Sequence, residues 1–274
     1  MKRTFRSILL LIFIFIFGFS AWQLWRIFSG YTEGEESYDQ LDQYVSIGQT
    51  EEVSVNIPLP TVPPTEEPAA EVEVPDVSAW PQVDFEQLAE INPDVVGWIF
   101  IEGTRINYPI VQGTDNSYYL NHLFDGKHNS TGCIFMDYRC ASDFTDQHSI
   151  IYGHRMKNKS MFQGLLNYKD QTFYEEHPVA LIVTPTAYYK IQFFSGYVSD
   201  NWSSAWDLAL DGADYGEWLK EIKEKSRFET TCSPTSEDRI VTLSTCTTEF
   251  SGAKFVLHGY ISEHIEKRLL QQLG

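Results

Sequence analysis

The chain has 274 residues, of which 43% are hydrophobic and 15% aromatic, and its formal net charge is −18 at pH 7. This composition is sufficient for a packed core and excludes global disorder. The charge argues against a nucleic-acid-binding surface, which requires clustered lysine and arginine. The charge is also uneven, because residues 31–80 contain twelve acidic residues and no lysine or arginine.

The N-terminus has the pattern of a membrane anchor. Lys2, Arg3 and Arg6 precede an apolar run from Ile8 to Trp25. A helix of about 20 residues, rising ~1.5 Å per residue, crosses a hydrocarbon core of ~30 Å. Basic residues before the run predict a cytoplasmic N-terminus and an extracytoplasmic remainder. We therefore predict a retained single-pass anchor within residues 1–30; a cleaved signal peptide is less favoured because no small-residue cleavage site closes the run.

Residues 31–80 are predicted to form an acidic stalk. Six prolines lie among its glutamate and valine residues: Pro58, Pro60, Pro63, Pro64, Pro68 and Pro75. Proline stiffens a segment toward polyproline geometry, and like charges keep it extended. We expect this stalk to hold a single domain, residues 81–264, away from the membrane, with residues 265–274 as a C-terminal tail.

The domain itself has the texture of a mainly β fold with peripheral helices. Asp84 is expected to cap a short helix that ends at Ile91. Runs rich in β-branched and aromatic residues predict eight strands: Val95–Ile101, Ile106–Val111, Cys133–Tyr138, Ser149–Tyr152, Ala180–Thr184, Tyr188–Tyr197, Ile240–Thr245 and Phe255–Ile261. Helical patterns occur at Ser117–Phe124, Ser160–Tyr168, Gln171–His177, Tyr215–Phe228 and Ile265–Leu273. Eight short strands with few helices between them favour a closed or nearly closed barrel.

Two predicted strands end in residues that can carry chemistry. His154 follows the strand that ends at Tyr152, with Gly153 expected to let the backbone turn, and Cys246 ends another strand. A rigid strand aims such a side chain, while the following loop leaves it accessible. A cysteine attacks well when an imidazole assists its deprotonation. From these residues alone, however, Cys246 pairs with His154 no better than with the other histidines.

The remaining cysteines are Cys133, Cys140 and Cys232. Four cysteines are too few for a disulfide scaffold of this size, although Cys133 and Cys140 are close enough in sequence to bridge a local loop. A zinc site built on these two cysteines and nearby histidines lacks the usual ligand spacing. We therefore predict no metal and no organic cofactor.

From Asn92 to His264 the chain resembles the class B sortases of Gram-positive bacteria. Six stretches carry the resemblance: Asn92–Trp98, Tyr108–Gly113, Asp115–Leu120, Ile134–Tyr138, Ile151–His154 and Thr242–Cys246. The resemblance implies an eight-stranded barrel and a cysteine transpeptidase in the cell membrane that attaches surface proteins to the cell wall. The helix predicted before the Cys246 strand also matches class B sortases, which insert a helix between strands six and seven.

The resemblance further implies roles for individual residues. Cys246 is the expected nucleophile on a C-terminal sorting signal, cleaved after threonine. His154 is the expected general acid and then base, and the acyl acceptor is an amine of the peptidoglycan precursor. Four residues are expected to line the substrate groove: Asn116, Leu120, Tyr152 and Ser244.

One position departs from the family pattern. Sortases carry an arginine on the strand after the cysteine, and this chain has Lys254 there. Lysine keeps the positive charge but lacks the planar fork of arginine. Arg155 and Arg239 lie near the motifs and are candidates to compensate. The departure leaves open a second hypothesis, a catalytically weak or inactive membrane-tethered binding scaffold with a sortase fold.

A third hypothesis rests on the stretch Ser130–Met136, which resembles the Ser-x-Gly-Cys signature of L,D-transpeptidases. It would make Cys133 the nucleophile. That family also expects an arginine where Phe135 stands and a His-Gly-Thr motif upstream, where this chain has Glu102-Gly103-Thr104. The two mismatches make this hypothesis less favoured.

Overall fold

The computed structural model describes residues 2–48, 77, 80–200, 203–209 and 212–273. Residues 49–76, 78 and 79 lie outside the described residues, and so do all six prolines on which the predicted stalk geometry rests. The predicted anchor and the predicted domain are described almost completely.

Eight strands form the closed barrel that the sequence predicts. They are β3 (Val95–Phe100), β4 (Asn107–Val111), β5 (Ile134–Met136), β6 (His148–Tyr152), β7 (Val179–Val183), β8 (Ala187–Ser199), β9 (Ile240–Cys246) and β10 (Lys254–Glu266), following the short β1 (Val45–Ile47) and β2 (Pro81–Val83) outside the barrel. Their order around the barrel is β10-β8-β7-β3-β4-β5-β6-β9. Closure removes the exposed sheet edges that would otherwise invite pairing with other chains. Aromatic and aliphatic side chains fill the interior, among them Trp98, Phe193 and Phe255.

Most neighbouring strands are antiparallel, but β4–β5 and β6–β9 are parallel. The β6–β9 pair joins strands that are far apart in sequence and begin at the same end of the barrel. Consequently the C-terminal ends of β6 and β9 lie side by side. His154 follows the end of β6, and Cys246 is the last residue of β9.

The helices agree with the predictions in place but not always in length. Helix α2 (Phe85–Ile91) begins where the Asp84 carboxylate accepts a hydrogen bond from the Gln87 backbone N–H at 3.0 Å. Helix α3 spans Gln171–Glu176. Helix α4 spans Gly212–Glu224 between β8 and β9, the sixth and seventh barrel strands, as the resemblance implies.

Three predicted helices differ from the structure. The pattern at Ser117–Phe124 forms only a 3-10 turn, Tyr118–Leu120, and the segment at Ser160–Tyr168 is a 3-10 helix, Phe162–Lys169. Helix α5 begins at Lys267 rather than Ile265, because β10 continues to Glu266 with the Ile265 side chain buried. The predicted domain boundary at residue 264 therefore falls inside a strand.

The predicted start of the stalk at residue 31 falls inside helix α1, Lys2–Asp39. A 3-10 turn (Gln40–Tyr44) and strand β1 follow it, and β1 pairs with β2 so that Ile47 lies opposite Pro81. Tyr38 and Leu41 are buried against the barrel. The β1–β2 pair thus holds both ends of segment 48–80 together. The distance between the apolar N-terminal run and the barrel is therefore set by α1 and not by this segment.

Candidate active site

Strand register brings five predicted site residues to one end of the barrel. In the parallel β6–β9 pair Tyr152 lies opposite Ser244, and the Gly153 N–H donates to the Ser244 carbonyl at 3.0 Å. His154 and Cys246 each lie two residues beyond this level. In the antiparallel β9–β10 pair Cys246 lies opposite Lys254.

A pocket of about 330 Å³ opens at this end of the barrel. Every site residue predicted from the sequence lines it: Asn116, Leu120, Tyr152, His154, Ser244, Cys246 and Lys254. Phe135, Gly153, Trp206 and Thr245 complete the lining. The walls are predominantly apolar, with a few convergent polar groups, which is typical of a site that binds an organic ligand.

The Lys254 side chain reaches the nucleophile candidate. Its ammonium Nζ donates a hydrogen bond to Cys246 Sγ at 3.0 Å, and both residues are half-buried. A cation at this distance stabilises negative charge on the sulfur. The lysine that stands where the resemblance expects an arginine therefore lies beside the candidate nucleophile.

His154 is held by a backbone carbonyl. Its Nε2 lies 2.6 Å from the Leu120 carbonyl oxygen. Because a carbonyl oxygen only accepts, this nitrogen carries the proton, and Nδ1 is the nitrogen left to exchange a proton with a ligand. Within the described residues no hydrogen bond joins His154 to Cys246; they share the pocket rather than a direct contact.

Gly153 is required here for close packing rather than for a turn. Its φ is not positive, so the turn expected at this position does not use the left-handed region. A Cβ at this position would lie 2.5 Å from Ile134 Cδ1 and 2.7 Å from the Phe162 ring. The glycine thus allows the chain before His154 to pass directly over the barrel core.

A buried carboxylate organises one side of the pocket. Asp137 accepts hydrogen bonds from Asn116 Nδ2 at 2.9 Å and from the Tyr152 hydroxyl at 3.0 Å, and Arg139 binds both of its oxygens at 2.8 Å. Burial by itself raises the pKa of Asp137, but these hydrogen bonds outweigh it and hold the pKa below its usual value. Asp137 was not singled out from the sequence, because only the fold brings its partners together.

Trp206 is a second residue that the sequence analysis missed. It ends the 3-10 turn Ser204–Trp206 and projects over the pocket, where its indole N–H donates to Ser244 Oγ at 3.2 Å. The turn belongs to the connection between β8 and α4. No motif marks this tryptophan, and its role is visible only in the folded chain.

Two of the other cysteines, Cys133 and Cys140, are poor nucleophiles in this structure. Cys133 and Cys140 are free thiols, and burial raises the pKa of Cys133 to about 12 and of Cys140 to about 11. The Cys133 sulfur contacts the Tyr38 hydroxyl and the His122 carbonyl. These observations oppose the hypothesis that Cys133 is the nucleophile.

The two arginines proposed as substitutes for the family residue lie elsewhere. Arg155 donates to Thr248 Oγ1 at 3.2 Å, and Arg239 donates to the Phe144 carbonyl at 3.0 Å. Neither lines the pocket. Among the described residues no group of three or more His, Cys, Asp or Glu side chains is placed to hold a metal ion.

Comparison with known proteins identifies the family. A sortase B of Staphylococcus aureus (strain NCTC 8325 / PS 47) is 40% identical over 170 residues, 61% of this chain and 69% of that protein. A sortase B of Listeria monocytogenes serovar 1/2a is 35% identical over 180 residues, 64% of this chain and 73% of that protein. No protein-family model matches the chain.

A solved structure has the same fold. The Staphylococcus aureus sortase B–substrate complex superposes with a TM-score of 0.62 at 36% identity, over 66% of this chain and 84% of that one. With its closed eight-stranded barrel, its inserted helix and these relatives, the chain belongs to the class B sortase family of cysteine transpeptidases.

Proposed function

We propose that this protein cleaves a C-terminal sorting signal after threonine and transfers the acyl product to an amine of the cell-wall precursor. The observation that carries the proposal is the convergence of Cys246, His154 and Lys254 in one pocket of a class B sortase barrel. Cys246 acts as the nucleophile, His154 as the acid and base, and Lys254 as the cationic group beside the reacting atoms.

In the first step the Cys246 sulfur attacks the carbonyl carbon of the threonine. A C–S bond forms, the C–N bond of the next residue breaks, and the departing amine takes a proton from His154. The product is a thioester between threonine and Cys246. The step begins from the Cys246 thiolate and the His154 imidazolium, and His154 donates the proton on Nδ1, because Nε2 keeps its proton on the Leu120 carbonyl.

In the second step an amine attacks the thioester. His154 takes a proton from the incoming nitrogen, the new C–N bond forms, and the C–S bond breaks to return the thiolate. Sharing one acid/base group between the two steps requires it to stay within reach of both the leaving and the entering amine. The position of His154 beside the pocket, two residues beyond the β6–β9 pairing, suits this demand.

Lys254 has two tasks in this scheme. Before attack its ammonium stabilises the sulfur as a thiolate, at an N–S distance of 3.0 Å. During attack the carbonyl carbon becomes bonded to that sulfur, so the carbonyl oxygen comes within reach of the same ammonium. One well-placed donor to such an oxyanion contributes about 10²–10³ in rate.

The groove that receives the sorting signal is formed by Asn116, Leu120, Tyr152 and Ser244. Asn116 and Tyr152 are fixed by Asp137, which leaves little conformational entropy to lose when a peptide binds. Trp206 adds an apolar wall whose indole is held by Ser244. A substrate complex is known for the Staphylococcus aureus relative, which supports peptide binding by this barrel.

We further propose that α1 anchors the protein in the membrane with its N-terminus in the cytoplasm. The helix is long and apolar enough to cross a membrane by length and composition. Its side chains from Leu10 to Trp25 lie mostly in the open, as lipid-facing side chains would. The barrel, residues 81–266, then lies outside, where it meets surface proteins that carry a sorting signal.

The experiment that tests this function uses the full chain in detergent micelles. Quenched-fluorescent peptides of the Asn-Pro-x-Thr and Leu-Pro-x-Thr types are supplied with a small primary amine, and products are identified by mass. The proposal predicts cleavage after threonine, an amide between threonine and the added amine, and loss of both in Cys246→Ala and His154→Ala. A folded chain that binds these peptides without cleaving them, even as Lys254→Arg, would instead support the binding-scaffold hypothesis.

A further inference from the structure

Helix α1 contacts the loop of residues 129–133, which lies against the backbone that holds His154. The segment of α1 and the turn after it, residues 30–41, packs on residues 129–133 of the barrel domain. Asn129 Nδ2 donates to the Gly30 carbonyl at 3.0 Å, and Gly34 lies so close to Thr131 that a Cβ would be 2.4 Å from its Oγ1. Because glycine has no side chain, the helix rests directly on this loop.

Tyr38 makes the most specific contact of this interface. Its side chain is only 8% exposed, and its hydroxyl donates to the Gly132 carbonyl at 2.6 Å and lies 3.2 Å from Cys133 Sγ. Burial also raises the pKa of Tyr38, so its hydroxyl keeps its proton at any working pH. The Tyr108 ring packs edge-on against it at 5.4 Å between centroids.

Gly132 transmits this contact to the other side of the loop. Its φ is +59°, and a Cβ there would lie 2.6 Å from the Tyr119 carbonyl oxygen and 2.8 Å from that of Leu120. The Cys133 N–H donates to the Tyr119 carbonyl at 2.9 Å. The backbone of Gly132 and Cys133 therefore lies against the backbone that presents the Leu120 carbonyl to His154.

We propose that Tyr38 is a positioning residue for His154: the helix that continues from the membrane anchor holds Gly132, Gly132 supports Leu120, and the Leu120 carbonyl orients the imidazole. The inference rests on the proposed role of His154 in the reaction. It gives residues 31–47 a function other than that of a spacer. Detaching this segment from the barrel should release the histidine without disturbing Cys246.

Two further contacts show that the segment is held in register. Arg105 forms an ion pair with Glu35, and strand β1 closes on β2 immediately after the turn. The interface between residues 30–41 and residues 129–133 is tightly packed. A displacement of the helix is therefore transmitted to the loop rather than absorbed. Misplacement of an acid/base group by about 1 Å is enough to cost ~10²-fold in rate.

The test compares Tyr38→Phe with Tyr44→Phe in the full chain, in detergent micelles. Both changes remove one hydroxyl from the same segment. Tyr44 also packs against the core, but within the described residues its hydroxyl makes no hydrogen bond. The proposal predicts that Tyr38→Phe lowers kcat about 5- to 10-fold, as expected for a lost buried hydrogen bond, with KM within about twofold. Tyr44→Phe should leave both constants within about twofold.

A second pair of variants reaches the same interface from the helix side. Gly34→Ala should force α1 away from Thr131 and lower kcat by a similar factor. In a Thr131→Gly background, which removes all three side-chain atoms that the new methyl group would meet, Gly34→Ala should have little effect on kcat. If Tyr38→Phe fails to fold, this pair of variants tests whether contact between α1 and the loop positions His154.

The inference is overturned if Tyr38→Phe retains the kcat of Tyr44→Phe, or if Gly34→Ala lowers kcat equally with and without Thr131. It is also overturned if the loss follows the unfolded fraction in thermal melts. His154→Ala separates the two proposals: turnover retained in that variant would contradict the proposed function itself. Turnover lost in His154→Ala but unaffected in Tyr38→Phe would contradict only the positioning role.

Discussion

The Lys254 ammonium lies 3.0 Å from the Cys246 sulfur because the two residues face each other across the β9–β10 pair. Directly opposed residues on one face of an antiparallel pair are close enough for their side chains to meet. The short lysine-to-sulfur contact thus follows from strand register alone. A cation is present beside the candidate nucleophile although the family arginine is missing.

Removing that cation should reduce turnover while a conservative change retains it. Lys254→Met preserves the length of the side chain and deletes its charge, so we expect a loss of about 10²–10³ in kcat/KM. Lys254→Arg should stay within about tenfold of the natural chain in the peptide-cleavage assay. Equal activity of the lysine and methionine forms would show that the ammonium has no role in the transition state.

The four cysteines should differ in reactivity. Cys133 and Cys140 are buried with raised pKa values, whereas Cys246 borders the pocket beside an ammonium group. Iodoacetamide at pH 7, followed by peptide mapping, should therefore label Cys246 well before Cys133 or Cys140. In Lys254→Met the labelling of Cys246 should become slower, while that of the two buried thiols should not change. Faster labelling of Cys133 than of Cys246 would support the hypothesis that Cys133 is the nucleophile.

The Asp137 network should stabilise the fold and the groove together. Replacing the buried carboxylate by the amide in Asp137→Asn leaves Arg139 without its ion pair. Since that guanidinium is half-exposed, we expect a moderate loss of about 2 kcal/mol in the free energy of unfolding, together with a raised KM. Glu237→Gln, at an exposed carboxylate, serves as the control and should change neither quantity.

The same carboxylate makes a prediction about pH. Its pKa is lower in the folded chain than in the unfolded one, so its stabilising contribution is complete above the unfolded pKa of about 3.9. The contribution disappears as the pH falls toward the folded value. Urea unfolding between pH 5 and 3 should show a smaller loss of stability in Asp137→Asn than in the natural chain.

Two buried histidines should make the chain sensitive to milder acid. His148 Nδ1 donates to the Asp207 carbonyl at 2.7 Å, so His148 Nε2 accepts from the Thr242 hydroxyl at 2.7 Å. The Thr242 hydroxyl oxygen in turn accepts from His258 Nδ1 at 2.8 Å. This arrangement requires the His148 ring to be neutral, and among the described residues His258 Nε2 is buried without a hydrogen-bond partner, so a charge on that ring would be costly. Burial lowers the pKa of His148 to about 4 and that of His258 well below its usual value.

Since unfolded histidine titrates near pH 6.5, the stabilising effect of keeping His148 neutral is complete above that pH. It declines as the pH falls toward 4, by up to about 3 kcal/mol for the shift of His148. Denaturation at pH 7 and pH 5 should reveal this decline in the natural chain. The exposed-site variant His128→Gln should keep the full decline, and a pH-independent midpoint would contradict the neutral pair.

Trp206 should affect substrate binding more than chemistry. Trp206→Phe keeps an aromatic wall but loses the indole donor to Ser244, and Trp206→Ala removes the wall. We expect KM to rise about 3-fold in the first and at least 10-fold in the second, in line with the loss of one hydrogen bond and of one large apolar surface. A fall in kcat at unchanged KM would place Trp206 in the chemical step instead.

The barrel could be predicted from sequence because its strands are rich in β-branched and aromatic residues and lie between clear turn signals. The pocket could be predicted only through family motifs, since nothing in the local pattern pairs Cys246 with His154. The β6–β9 parallel register does so, and it joins segments about 90 residues apart. Asp137 and Trp206 were missed because no local pattern marks their contacts: Asp137 meets Asn116, 21 residues away, and Trp206 meets Ser244, 38 residues away.

In the N-terminal segment, residues 31–47 are arranged differently from the extended stalk that the composition predicts. Twelve acidic residues and six prolines in residues 31–80 predict an extended stalk, and this average concealed the two apolar side chains of Tyr38 and Leu41. Burial of these two residues, with the β1–β2 pair, docks residues 31–47 onto the barrel. Composition summed over a long window is insensitive to a few anchoring residues that tertiary contacts use.

In the proposed reaction Cys246 carries the acyl group between the two steps. This intermediate can be trapped by quenching the full chain with acid soon after it is mixed with a cleaved peptide and no added amine, and then recording its intact mass. We expect an adduct equal to the peptide through its threonine, located on Cys246, removed by hydroxylamine and absent from Cys246→Ala. An adduct on Cys133 or Cys232, or cleavage that persists in Cys246→Ala, would contradict this role of Cys246.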